Sequence, residues 1–361
     1  MRYRVQFPAS RQVNEDSNYK KRSNFPCLII LDKIMTNNKL ILPPKITPAS
    51  LKPPNLQSNF PDQMPSVIVT TGKRFIDIDG YACVIGYKEI HNQKPIAVIS
   101  GPLNHSVTQT VKTWPASYQT SPPPGDYKFV IVDVSEPQEF PDFVDRKKII
   151  EIYDHHFGFE KLWEYLGEKA KIEEIGACAT LIWEEYKKKN SHPPSSTCAN
   201  LLSTAILSNT LNFKSSLATA RDKIAFEELK KFTQLPPDWE IIYYKDQEKF
   251  AYLNPALAIT GDTKIQKIKG LKCAVAQLEL WNSRNFLKEH KNTIKLIMQG
   301  FQTEHWLLIS PSLSEGRDFI FTTSETLKNY LKRHLEIDFF GTDVGLTRKL
   351  FLRKEILKKI Q

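Results

Sequence analysis

The chain has 361 residues, 41% of them hydrophobic and 25% charged, so it is long enough for two domains with separate cores and too apolar for a disordered polymer. Its net charge of +10 is gathered at the two ends: residues 1–65 hold ten Lys and Arg against four Asp and Glu, and residues 347–361 hold six against one. That is not the continuous stripe of a nucleic-acid groove.

No apolar run is long enough to span a membrane. Cys27-Leu28-Ile29-Ile30-Leu31 is too short and too far in for a signal peptide. Five cysteines without paired spacing point to free thiols and a cytoplasmic location.

The first 65 residues hold nine prolines and little periodicity, which predicts a flexible basic extension. Met35 is a second plausible start, so residues 1–34 are expected to be dispensable. From Ser66 onward, strand-like runs alternate with helical ones, which predicts a parallel sheet with crossover helices. Leu162–Ala170 and Thr180–Lys189 read as amphipathic helices, Cys198–Leu207 as a third, and Thr219–Phe232 as a fourth stopped by Pro236-Pro237. In the second half, Ile265–Leu280 reads as two strands around Lys269-Gly270. Leu307–Ile309 and Phe319–Phe321 read as further strands, and Ser324–His334 as a helix.

Three acidic groups follow three of the apolar runs. Asp77 and Asp79 follow Val67-Ile68-Val69, Asp133 follows Phe129-Val130-Ile131-Val132, and Asp154-His155-His156 follows Ile149–Tyr153. Parallel strands would deliver these side chains to one edge of the sheet, where open α/β proteins build their sites. Converging carboxylates repel unless cations lie between them, and oxygen with imidazole ligands suits Mn, Mg, Co or Zn. Each group alone is commonplace on a solvated loop; their occurrence in order, each after its own strand, is not.

These motifs resemble those of the DHH phosphoesterase superfamily, in the branch of family II (manganese-dependent) inorganic pyrophosphatases, exopolyphosphatases and prune-like proteins. Ile175–Thr180, Ala205–Ser215, Asp262-Thr263-Lys264, Ala276–Glu279 and Thr347-Arg348-Lys349 extend the resemblance toward the C-terminus. The Gly-Gly-Gly-His string of the nuclease branch is absent from the sequence.

The resemblance implies an N-terminal parallel-sheet domain over 66–240, a smaller C-terminal α/β domain with a mixed sheet over 241–361, and an active site in the cleft between them. It also implies hydrolysis of a phosphoanhydride such as pyrophosphate or short polyphosphate, with two divalent ions, Mn before Mg or Co. Asp133 would bridge the ions, Asp77 would bind the first, and Asp79 and His155 the second. Asp154 would orient its neighbours, and His156 would reach the phosphoryl oxygen. Lys264, Arg348 and Lys349 would clamp phosphate.

The chain departs from the pyrophosphatase pattern at Lys73, where a His is usual, at Asn209, where an Asp is usual, and at Val134. Lys73 is expected near substrate and Asn209 as a neutral ligand to metal. The rival expectation is a catalytically weak phospho-ligand-binding or partner-binding protein, or a phosphodiesterase acting on small nucleotides.

Overall fold

The computed structural model describes residues 66–90 and 95–360. The proline-rich extension expected over 1–65, with the second start at Met35, lies outside the described residues.

Five strands form the first sheet: β1 (Ser66–Thr70), β2 (Ile96–Val98), β3 (Tyr127–Val132), β4 (Ile149–Asp154) and β5 (Ala170–Ile172). All pairings are parallel, in the order β2-β1-β3-β4-β5. Strands buried on both faces need side chains that suit two cores, which is why Phe129–Val132 is an unbroken apolar run. The two-residue period sorts them: Val69, Val130 and Val132 enter one core, and Ile68, Phe129 and Ile131 the other. The first core is covered by helices α1 (Ile78–Ile90), α2 (Cys178–Lys189), α3 (Ser196–Asn209) and α4 (Ala220–Lys230). The second is closed by Phe140 and Trp163 from shorter segments.

The helix expected over Leu162–Ala170 is not continuous. A single turn at Glu160–Trp163 passes into a 3-10 segment, and Gly167 adopts φ 58° and ψ −132° inside it. The helix hydrogen-bond ladder cannot pass a residue in that conformation, so the chain turns into β5 instead.

Helix α5 (Trp239–Leu253) joins the halves: Trp239, Tyr243 and Tyr244 belong to the first-sheet core, and Ala251 belongs to the next. The second sheet has six strands: β6 (Thr263–Ile268), β7 (Leu271–Gln277), β8 (His305–Ser312), β9 (Arg317–Phe321), β10 (Ile337–Asp338) and β11 (Val344–Thr347). Their order is β10-β11-β9-β8-β7-β6. Among the described pairings of this second sheet, β7–β8 is parallel and the others are antiparallel, so the sheet is mixed, as the sequence predicts.

Alternation again decides the layers. Ala274, Leu308 and Phe319 face α6 (Ser283–Gln299), while Val275, Leu307 and Ile320 face α7 (Glu325–His334) and α8 (Arg353–Ile360). A large aliphatic side chain so buried contributes about 1.5–3 kcal/mol, so the patterning alone holds each sheet between its helices. Among the described helices, none is long and apolar enough to cross a membrane.

Candidate active site

Strand β1 has β2 on one side and β3 on the other, so the sheet's topological switch lies between β1 and β3. Asp77 and Asp79 follow β1 and Asp133 follows β3, which puts both acidic groups beside the crevice where such sheets bind ligands. Asp154 ends the adjacent β4, with His155 and His156 immediately after it.

Asp133 has φ 60°, a left-handed conformation that few residues other than glycine adopt without cost. Its backbone N–H donates to the Tyr153 carbonyl at 2.7 Å, which fixes the turn on β4. Space for its carboxylate comes from Gly80: a Cβ there would stand 3.2 Å from Asp133 Oδ2 and 2.8 Å from Thr71 Oγ1.

Asp77 and Asp79 do different things. Asp77 Oδ1 accepts the N–H groups of Asp79 and Gly80, both at 3.0 Å, and so caps α1. Asp79 is fully buried; its two oxygens accept the N–H groups of Cys178 and Ala179 at 2.8 Å, the first residues of α2. Burial, reinforced by Asp77, nevertheless pushes the Asp79 carboxyl up to about 7. Asp133 is raised well above the usual carboxylate range, by burial first and then by Asp79 and Asp77.

His155 is buried, and its Nδ1 lies 3.3 Å from the Ile175 carbonyl. A carbonyl only accepts, so Nδ1 carries the proton and the Nε2 lone pair points the other way. Nε2 is 3.5 Å from Asp133 Oδ1 and 3.8 Å from Asp79 Oδ2. Burial, then the charges of Lys354 and His156, hold this imidazole well below its ordinary basicity. Among the described residues, Asp133 Oδ1 is buried without a hydrogen-bond partner. A lone pair facing two carboxylates, one with an orphaned oxygen, fits a cation between them. Asp133, His155 and the partly exposed His156 bring their ligand atoms within 4.8 Å of one another, so these residues fit a divalent ion. Asp154 is buried, and its Oδ1 holds His156 Nδ1 at 2.8 Å, turning the other ring nitrogen outward.

Two buried carboxylates that sequence reasoning missed support this cluster. Asp222 receives the N–H groups of Gly176 and Ala177 and the hydroxyls of Thr180 and Thr219, so it carries the turn before α2. Gly176 must be glycine there, because a Cβ would meet Asp222 Oδ2 and Thr210 Cγ2 at 2.7 Å. The signal in the sequence was Thr219-x-x-Asp222, a capping box opening α4. Glu355 accepts the Ser215 hydroxyl at 2.9 Å and the Ser216 N–H at 3.2 Å, and so ties α8 to the loop after α3. That loop begins with Leu211, Asn212 and Phe213, all left-handed, and its Lys214 Nζ reaches the Leu313 carbonyl at 3.2 Å.

The remaining expected residues lie as follows. Lys73 Nζ pairs with Asp142 at 2.8 Å on the surface. The only hydrogen bond described for the Asn209 side chain runs to the Ala205 carbonyl at 3.5 Å, one turn back along α3. Lys264 is exposed on the edge strand β6. Arg348 is 83% exposed, 3.6 Å from Glu336, and Lys349 lies over the Phe351 ring. The basic residues drawn inward are instead Arg353 and Lys354, in the first turn of α8. Arg353 pairs with Asp262 at 2.6 Å, and the half-buried Lys354 bears its charge on Asp79, Asp133 and Asp154.

The same fold occurs in a solved structure. The crystal structure of a Methanococcus jannaschii chain assigned to the family II inorganic pyrophosphatases superposes with a TM-score of 0.62 at 18% identity, over 82% of this chain and 99% of that one. The manganese-dependent inorganic pyrophosphatase of Methanothrix thermoacetophila is 23% identical over 313 residues, 81% of this chain and 97% of the relative. The chain is a distant relative of the family II inorganic pyrophosphatases. The manganese-dependent pyrophosphatase of Methanocaldococcus jannaschii is likewise 24% identical, over 65% of this chain and 79% of its own length. No family model matches the chain.

Proposed function

We propose that the protein is a divalent-metal-dependent hydrolase of phosphoanhydride bonds, acting on pyrophosphate or short polyphosphate. The observation that supports this most is the orphaned Asp133 Oδ1 facing the unprotonated Nε2 of His155, with His156 beside them. When bound there, a Mn, Mg or Co ion would lower the pKa of a water and take up charge on the phosphoryl oxygens.

The chain's own residues do the rest. Asp133 and His155 would hold the ion, and Asp79, anchored on α2, would add negative charge to the same cluster. Asp77 holds the start of α1 in place beside it. His156, aimed by Asp154 through Nδ1–H, would donate from its other ring nitrogen as the imidazolium to the oxygen that gains charge as the bond breaks. Arg348, Lys349 and Lys264 are solvent-exposed, and among the described residues no short ion pair holds them, so they can meet the distal phosphate of an anionic substrate.

A second reading is favoured by one observation. Lys73 turns out to Asp142, and Asn209 brings no charge, where the resemblance implies a His and an Asp at the metals. A protein so depleted would bind a phosphorylated ligand and turn it over slowly. Phosphate release from pyrophosphate, tripolyphosphate and nucleotides, measured with Mn, Mg and Co and with chelator, tests both. Metal-dependent release supports the hydrolase; tight binding without release supports the second reading.

A further inference from the structure

Ile78 stands between Asp77 and Asp79, and its N–H donates to Ser106 Oγ at 2.8 Å. Ser106 lies in the loop after β2, and its hydroxyl is aimed by Asn104. The Asn104 Oδ1 accepts that hydroxyl at 2.6 Å and the Ser106 N–H at 2.8 Å. The Asn104 N–H in turn donates to the Ile76 carbonyl at 2.8 Å, so the loop grips the chain on both sides of Asp77. Both Asn104 and Ser106 are buried. With Asp77 Oδ1 on the N–H groups of Asp79 and Gly80, the first three N–H groups of α1 all meet an acceptor. The positive end of the helix is spent in this way before it could oppose a cation.

The loop is itself held from α5. Tyr243 is fully buried, and its hydroxyl oxygen lies 2.9 Å from the Ser106 carbonyl and 3.1 Å from Ser208 Oγ. A carbonyl only accepts, so the tyrosine proton goes to Ser106 and the Ser208 hydroxyl donates to the tyrosine oxygen. Ser208 directly precedes Asn209 at the end of α3. One hydroxyl therefore joins the loop under the Asp77–Asp79 turn to the end of α3. Five residues on, Glu248 accepts the Asn282 N–H at 2.6 Å just before α6, so the same helix is fastened to the second half.

We propose that Tyr243 is a positioning residue for the metal site, acting through Ser106 on the backbone that carries Asp77 and Asp79. This rests on the metal-dependent reading above. The Tyr243 hydroxyl sets where the 104–106 loop stands. The loop sets the path of residues 76–78, and that path sets where the two carboxylates point. Partners that orient ligands in this way act on metal affinity without touching the ion.

The experiment is a calorimetric titration of Mn2+ into the chelator-treated full chain, with urea unfolding to show that each variant is folded. Tyr243→Phe deletes the hydroxyl and keeps the ring, and should weaken Mn2+ binding about tenfold. Tyr244→Phe deletes an equally buried hydroxyl from the same helix, one that donates to the Leu207 carbonyl at 3.2 Å, and should bind Mn2+ as the wild type does. Ser106→Ala removes the acceptor itself and should weaken binding at least as much. Adding Tyr243→Phe to it should cost little further, because both act along one path. Equal affinities in the wild type and Tyr243→Phe overturn the inference and leave the hydrolase reading standing. Equal losses in Tyr243→Phe and Tyr244→Phe also overturn it, since the hydroxyl then serves general stability, and so do additive losses in the double variant. If Tyr243→Phe does not fold, Ser106→Ala decides alone, and wild-type affinity there overturns the inference. No Mn2+ binding by the wild type removes the hydrolase reading and the inference with it.

Discussion

Asp154 Oδ1 accepts His156 Nδ1 at 2.8 Å and, with the same oxygen, the backbone N–H groups of His155 at 2.8 Å and His156 at 3.1 Å. One carboxylate oxygen therefore sets both the path of the chain after β4 and the aim of the second imidazole. Burial works to raise the Asp154 carboxyl, but the neighbouring His156 and these hydrogen bonds hold it below the usual range.

Asp154→Asn should therefore separate shape from charge. The amide keeps the volume but can no longer hold His156 Nδ1–H and two backbone donors as an anion does. Turnover should fall about 10–100-fold, the scale on which supporting partners of metal-site histidines act. Phosphate-release kinetics together with thermal melts check this; wild-type turnover would show that His156 is aimed by something else.

Asp133→Asn should leave the metal-free protein as stable as the wild type or more so. Asparagine tolerates the left-handed backbone of position 133, and the change removes a buried carboxylate crowded by Asp79 and Asp77. Manganese should then raise the melting temperature of the wild type and not that of the variant. Equal metal-induced shifts in both chains would remove Asp133 from the ligand set.

The buried carboxyls should cost the metal-free chain stability as pH rises, against an opposite contribution from His155 and His105, whose burial lowers their basicity. Burial lifts Asp79 to about 7 and Glu279 to about 8, the latter also through Asp262 and Asp77, against about 4 in an unfolded chain. Between those values the folded chain holds more protons than the unfolded one. This stabilisation is complete below about pH 4 and is lost as pH rises through 7 and 8. The slope is at most about 1.4 kcal/mol per pH unit for each proton. Urea midpoints from about pH 5.5 to 8 should decline in chelator, decline less with Mn2+, and decline less in Glu279→Gln. A metal-free midpoint that climbs over this range contradicts the reading.

Arg353→Ala and Arg348→Ala should differ in kind. Arg353 is mostly buried in its pair with Asp262, and its removal strands that carboxylate, at a cost of about 3 kcal/mol. Arg348 is exposed, and its loose contact with Glu336 contributes little to stability. Arg348→Ala should therefore melt like the wild type, with a raised KM for pyrophosphate and unchanged metal content. Arg353→Ala should lower the urea midpoint. If the two variants show the reverse pattern, the division of the basic end into a structural and a substrate-facing part is wrong.

The sequence by itself determined the parallel sheet and the order of its acidic and imidazole groups. A strand buried on both faces must be written as a run such as Phe129–Val132, and a side chain just past its end, such as Asp133, has one edge to occupy. It also determined the mixed second sheet, whose alternation at Ala274–Val275 and Leu307–Leu308 needs two covering layers. Only the tertiary structure decided which basic residues turn inward. Arg348 and Arg353 are five positions apart in one basic run, and local pattern gives no reason to prefer either. What separates them is Asp262, Gln277 and Ser215, which lie far off in sequence and meet α8 only when both halves are folded. The same holds for Asp222, whose role exists because Gly176 arrives 46 residues away with no side chain to keep it off.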